Sequence, residues 1–293
     1  MEKENVEWVE CPRDAMQGLS WFIPTPQKIE YINALLKVGF DVLDFGSFVS
    51  PKAIPQLRDT AEVLSKLQLN NRTKLLAIVA NQRGAEDALV FDEISYLGFP
   101  FSISETFQQR NTNSSIEQSL STVESIQNLC LKNNKELVVY MSMAFGNPYG
   151  DEWNGEIAVR RTEQIASMGV KIIAMSDTVG LAKADDVKAI FDAVIPALPN
   201  VKIGAHLHVS ADNWKAKLSA AWDSGCRRFD TALKGYGGCP MAEDVLVGNL
   251  AAENLYSFLN ERNVKTTVDS ALFAASMLMA SKVFDHPSAT IID

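Results

Sequence analysis

Only four cysteines occur in 293 residues, and Cys11, Cys130, Cys226 and Cys239 form no C-x-x-C pair and no zinc-type spacing. A zinc ribbon, a thioredoxin-type redox motif and a disulfide framework are thereby excluded. The thiols read as free, three of them as small buried residues. No apolar run approaches the roughly 18–20 residues that a membrane span needs. Basic residues are outnumbered: 27 Lys and Arg stand against 36 Asp and Glu, a net charge of −9, and no basic cluster offsets it. A nucleic-acid surface is therefore not expected. The opening MEKENVEWVE has neither the apolar stretch of a signal peptide nor an Arg-rich transit pattern, which points to the cytoplasm. Low-complexity linkers and shifts in composition are absent too, so residues 1–293 read as one domain, with 263–293 as a C-terminal flanking helix and tail.

What is present is a rhythm of strand and helix. Short apolar, β-branched runs fall at Val6–Glu10, Asp41–Phe45, Lys74–Val79, within Glu93–Ser102, and at Leu137–Met143, Lys171–Ser176, Lys202–Val209 and Arg228–Leu233. Stretches of helical period lie between them, among them Pro26–Val38, Ile54–Leu67, Ser115–Leu131, Gly155–Met168, Ala184–Ile195 and Trp214–Ser224. Eight alternating units predict an α/β fold, a (β/α)8 TIM barrel. An open doubly wound sheet is the alternative, but no G-x-G-x-x-G follows the first strand. Two extra C-terminal helices are predicted near Glu243–Arg262 and Val268–Phe284. The fourth strand is the weakest assignment, because Gly98 and Pro100 interrupt it.

Charged groups are costly inside a barrel, so charges at the C-terminal ends of strands mark function. Strand one runs into Arg13 and Asp14, strand two ends at Asp44, and strand six ends at Asp177. Strand seven carries His206-Leu207-His208, two of only three histidines in the chain. Residues two apart on a strand share a face, so both imidazoles should project inward together. Hydrogen-bonded core histidines are the bland alternative. Two imidazoles with carboxylate and carbonyl oxygens would suit Mn²⁺, Mg²⁺ or Zn²⁺, and an oxygen-rich set leans to the first two. The third histidine, His286, sits in an Asp-His-Pro turn and reads as solvated. Gly235-Tyr236-Gly237-Gly238-Cys239-Pro240 is the second signal: glycines permit close backbone approach and a mobile lid, and a thiol on such a loop can serve as acid or nucleophile. A tight turn with an incidental thiol is the other reading.

Together these residues resemble the 3-hydroxy-3-methylglutaryl-CoA lyase family, within the metal-dependent TIM-barrel lyases and condensing enzymes. The resemblance runs in order from Val6 to about Phe258. It includes Pro12-Arg13-Asp14 with Gln17, Ser47-Phe48-Val49-Ser50-Pro51-Lys52, Ser104-Glu105 through Asn113, Gly146-x-Pro148-Tyr149 and Ser176-Asp177-Thr178-x-Gly180. His206-x-His208, Gly237-Gly238-Cys239-Pro240 and Gly248-Asn249-Leu250 complete it. It implies metal ligands Asp14, His206, His208 and Asn249 for Mg²⁺ or Mn²⁺, and catalytic roles for Arg13, Asp44, Asp177 and Cys239. Arg13 would stabilise an enolate, Asp177 would lie by the C3 hydroxyl, and Cys239 would close over the reacting atoms. Gln17, Ser47, Ser142 and Thr178 would bind an acyl-CoA substrate. A partner nucleic acid or membrane is not implied, and a homodimer is allowed.

Two departures touch this pattern. The family usually has glutamate where this chain has Asp44, and Asp or Asn where Val209 follows the second histidine; its usual loop leucine is Tyr236 here. A condensing enzyme of the same superfamily, acting on a related acyl-CoA or 2-keto acid, is the nearest rival, and it typically lacks the Gly-Gly-Cys-Pro loop. A catalytically inert metal- or CoA-binding barrel is the rival of another class.

Overall fold

The structure is a computed structural model that describes residues 5–238 and 247–285. Cys239, His286 and the expected helix start at Glu243 lie outside them. In chain order the described residues form β1 (Glu7–Glu10), α1 (Pro12–Gln17), α2 (Thr25–Val38), β2 (Val42–Ser47), α3 (Thr60–Leu64), β3 (Lys74–Ile78) and α4 (Gln82–Leu89). Next come β4 (Ile94–Ser102), α5 (Glu105–Thr112), α6 (Ile116–Lys132), β5 (Glu136–Ser142), α7 (Gly155–Ser167), β6 (Ile172–Asp177) and α8 (Ala184–Ala197). The chain continues through β7 (Lys202–Val209), α9 (Trp214–Asp223), β8 (Arg228–Thr231), β9 (Gly248–Asn249), α10 (Ala252–Glu261) and α11 (Ser270–Phe284).

Each of the first seven strands pairs in parallel with the next, and β8 pairs with β1, so the sheet closes into a (β/α)8 barrel. Alternation along the strands makes two apolar layers. Val9, Val42, Leu76, Val138, Ile172 and Ala174 fill the interior, while Leu43, Leu75, Val139 and Ile173 pack outward under the helices. Sequence turns supply the helix starts: Asn81, Ser104, Asn154 and Asp269 each accept a backbone N–H as N-caps, and Ser115 forms a capping box with Gln118.

Three expectations need correction, while the fourth strand falls within Glu93–Ser102 as expected. β4 is continuous and nine residues long despite Gly98 and Pro100. A Cβ on Gly98 would stand 2.5 Å from Ile78 Cδ1 and 3.1 Å from both Leu76 Cδ2 and Tyr140 Cε2, so glycine spares these interior side chains from shifting. Pro100, which lacks an N–H, falls beyond the last β3–β4 pair, Ile78–Gly98, and so removes no ladder bond on that side. The helix expected over Ile54–Leu67 is a 3-10 turn at Pro55–Leu57 followed by the short α3. Thr60 Oγ1 donates to Leu57 O and accepts from Ser47 N, which ties that turn to β2 instead of continuing a helix. The helix expected near Glu243–Arg262 begins only at Ala252, because Gly248–Asn249 is drawn into an antiparallel pairing with β7. Finally α1, α4 and α5 were not announced by periodicity. Among the described residues no helix is long and apolar enough to cross a membrane.

Candidate active site

The barrel mouth assembles its polar groups from strand register. His206 pairs with Ser176 on one side and Asp230 on the other, which sets three inward side chains at one level. His208 stands one inward step higher, and the two imidazole centroids are 5.3 Å apart. Pro12 opens α1 immediately after β1, so Arg13 and Asp14 sit on a helical turn laid over the mouth. β9 places Asn249 directly opposite His208. Gly237 closes this corner: an added Cβ would lie 2.7 Å from Asn249 Nδ2 and 2.9 Å from Asp14 O, at φ +95°.

Ligand atoms of Asp14, His206 and His208 lie within 4.8 Å of one another, all buried. Asn249 Nδ2 donates to Asp14 Oδ2 at 2.7 Å and to Tyr236 O at 2.9 Å. Both ring nitrogens of His208 are buried without a hydrogen-bond partner, the backbone of Thr178 approaching without bonding geometry. Burial and then the neighbouring His206 push the His208 pKa down to about 4, so the ring is neutral near pH 7. Burial also disfavours charge on His206, but Asp230 outweighs it and holds its pKa above the usual histidine value. Burial likewise opposes ionisation of Asp14, yet Arg13 and the two histidines bring its pKa down to about 2. An ionised carboxylate, an amide and an orphaned neutral imidazole suit a divalent cation, which would satisfy the His208 nitrogen that nothing else satisfies.

Arg13 is fixed from two sides. Nε and Nη2 donate to Asp44, and Nη1 donates to Asp14 Oδ1 at 2.9 Å and Gln17 Oε1 at 2.8 Å. Burial lifts Asp44 to about 6 against the opposing pull of Arg13. The register of β2 against β3 shifts between Asp44 and Gly46, so Asp44 and Ser47, three residues apart, both turn inward. Strand β2 thus runs beyond Asp44 to Ser47, whose hydroxyl bonds Ile78 O at 3.3 Å.

A cavity of about 370 Å³ opens above this cluster. Arg13, Asp14, Gln17, Ser142, Thr178, His206 and His208 line it with Ser176 and Tyr140, beside an apolar wall of Val49, Ala53, Ile54, Ile78, Pro100 and Phe107. Asp44, Ser47 and Asn249 stand behind that lining. Asp177 is not brought to the cavity. It faces outward from β6, where Oδ2 pairs with buried Lys217 Nζ at 2.7 Å and Oδ1 accepts Ala182 N. Lys217 also donates to His208 O at 2.9 Å and Gly180 O at 3.1 Å. Tyr236 stacks on Phe284 of α11 at 4.6 Å, which accounts for an aromatic at that position. Lys217 and Asp230 were missed from sequence. A lysine on the apolar face of α9 and an aspartate two residues beyond an arginine in β8 were the available signals.

Fold and site define a TIM barrel with a carboxylate–imidazole cluster at the C-terminal mouth, where barrels of this kind carry their chemistry. The family model described as HMGL-like matches residues 5–278, and the chain belongs to that family. It is 33% identical over 257 residues to a hydroxymethylglutaryl-CoA lyase of Bacillus subtilis, covering 88% of this chain and 85% of that protein. The crystal structure of the lyase from Brucella melitensis superposes with a TM-score of 0.91 at 28% identity, covering 97% of this chain and all of the other. An Acinetobacter baumannii lyase solved with coenzyme A and 3-methylmalate superposes at 0.89, with 28% identity and 99% and 94% coverage.

Proposed function

We propose that the chain is a divalent-metal-dependent lyase that cleaves 3-hydroxy-3-methylglutaryl-CoA into acetyl-CoA and acetoacetate. The observation that carries this reading is the convergence of Asp14, His206 and the unpartnered His208 on one point beside the Arg13 guanidinium. The names of its relatives support the same substrate, and the coenzyme A in the A. baumannii structure supports an acyl-CoA partner.

Asp14, His206, His208 and the amide oxygen of Asn249 would hold Mg²⁺ or Mn²⁺. Such an ion would supply Lewis acidity, lowering the pKa of the substrate's tertiary hydroxyl. As the hydroxyl proton passes to water in the cavity, the oxygen's electron pair forms the C3 carbonyl and the C2–C3 bond breaks, its electron pair passing into the thioester as an enolate. Arg13 stabilises that charge, and because Asp44, Asp14 and Gln17 already fix it, little reorganisation is needed as the charge forms. Protonation at C2 completes acetyl-CoA, and Cys239 is the proposed acid. Ser142, Thr178 and Gln17, which line the cavity, would offer polar groups to the substrate, and Ser47, behind that lining, would lie toward the acyl-CoA entrance. Asp44 acts through Arg13, and Asp177 through its pair with Lys217 to the backbone of His208. Residues 1–293 would work as one catalytic unit, with α11 packed against α2 on the outside of the barrel. Acetyl-CoA release from a panel of 3-hydroxyacyl-CoA thioesters tests this: the 3-methylglutaryl substrate should turn over fastest, and no turnover on any thioester would refute it.

A further inference from the structure

A line of charge runs up the barrel interior beneath the mouth, from half-buried Glu7 to buried Arg228 and Asp230. Glu7, at the start of β1, accepts Arg228 Nε at 3.0 Å and is also paired with Lys202. Arg228 Nη1 donates to Asp230 Oδ1 at 2.8 Å, and Asp230 Oδ2 meets His206 Nδ1 at 3.2 Å. Arg228 and Asp230 are each no more than 2% exposed. Their spacing on β8 puts both on the inward face, and the β7–β8 register seats Asp230 beside His206. Room for the guanidinium comes from Gly204 on β7, where a Cβ would stand 3.0 Å from Arg228 Nη1 and 3.1 Å from its Cδ.

Barrel interiors are filled by branched apolar side chains, and an apolar replacement of a buried ion pair is often as stable. Stability alone therefore does not call for this arrangement. The two oxygens of Asp230 are divided between two partners, one facing Arg228 and one facing the imidazole. A carboxylate ionised beside an arginine has no proton to give, so its Oδ2 can only accept. The His206 donor must then be Nδ1–H, so the neutral imidazole that a cation requires carries its lone pair on Nε2. His208 has no comparable partner.

We infer that Asp230, held by Arg228, is a positioning residue that fixes the Nδ1–H tautomer of His206 and directs Nε2 at the cation shared with Asp14 and His208. This rests on the metal-dependent reading above. Removing such a partner typically weakens metal affinity 10–100-fold.

Titration of the purified protein with Mn²⁺ alone, followed by calorimetry, is the test. Asp230→Asn, whose amide can donate to Nδ1 and favour the opposite tautomer, should bind Mn²⁺ about 10–100-fold more weakly than wild type. Arg228→Met should move affinity in the same direction. Wild-type binding with an unchanged Asp230→Asn variant overturns this inference alone; a wild type that binds no Mn²⁺ overturns the metal reading itself. Should the variants not fold, ¹⁵N-histidine NMR of the wild type loaded with Mg²⁺ decides. A proton on His206 Nδ1 supports the inference. A proton on Nε2, with Nδ1 turned to a cation between Asp230 and Cys11, overturns it.

Discussion

Asp44 grips Arg13 with both carboxylate oxygens, Oδ2 taking Nη2 at 2.6 Å and Nε at 3.0 Å while Oδ1 lies 3.2 Å from Nε. With Nη1 engaged by Asp14 and Gln17, the guanidinium has almost no freedom to turn. Its charge is preorganised for a developing enolate. Arg13→Met should therefore lower kcat by about 10²–10³-fold, roughly 2–4 kcal/mol, with a much smaller change in KM. Steady-state kinetics on the folded variant checks this, and a change confined to KM would make Arg13 a binding residue only.

The Lys217–Asp177 pair is buried on both sides and also holds the carbonyl of His208. Removing one partner strands the other charge. Lys217→Met should cost about 3–5 kcal/mol of stability, and Lys217→Met combined with Asp177→Leu should recover much of it. Urea denaturation measures both; an additive double variant would contradict the pairing.

Glu10 offers a pH test away from the cation ligands. Its carboxyl accepts Leu233 N at 2.7 Å and the Thr231 hydroxyl at 2.8 Å, and burial pushes its pKa up to about 8 despite those bonds. The unfolded chain ionises near the ordinary glutamate value, so folding takes up a proton between about pH 4.5 and 8. Glu10 thus stabilises the fold fully below that window, and its contribution is lost as pH rises through about 8. Glu10→Gln cannot ionise. Its Tm relative to wild type should climb from pH 5 to pH 8, and parallel Tm curves would contradict the assignment.

Thiol chemistry separates the cysteines. Cys11, Cys130 and Cys226 are buried, and burial raises all three thiol pKa values, Cys130 and Cys226 to about 12. A thiol-directed reagent on the native protein should therefore modify Cys239 first and inactivate it, with substrate protecting. Cys239→Ala should keep cation binding and lose most of kcat. Mass spectrometry of the labelled protein identifies the site, and equal labelling of all four thiols would contradict the burial.

Arg13, Asp14, His206 and His208 were legible because strand ends and a period of two are written in the sequence itself. What alternation alone could not tell was phase. Ser176 and Asp177 are adjacent, so only one can face inward, and the register gives that place to Ser176. The bulge after Asp44 breaks the alternation that would have set Ser47 on the opposite side. Asn249 reached the site through β9, a two-residue strand too short to leave a hydrophobic pattern. Lys217 and Asp230 depend on partners 40 and 24 residues away, and no local window contains both ends.

Asp14, His206 and His208 are proposed to hold a cation on which carbon–carbon cleavage depends. Acetyl-CoA release from 3-hydroxy-3-methylglutaryl-CoA should be measured after exhaustive chelation and again after adding Mg²⁺ or Mn²⁺. Turnover should vanish on chelation and return with either ion, while His208→Ala should respond to neither. Full activity in a chelated protein that elemental analysis shows to be metal-free would contradict the account.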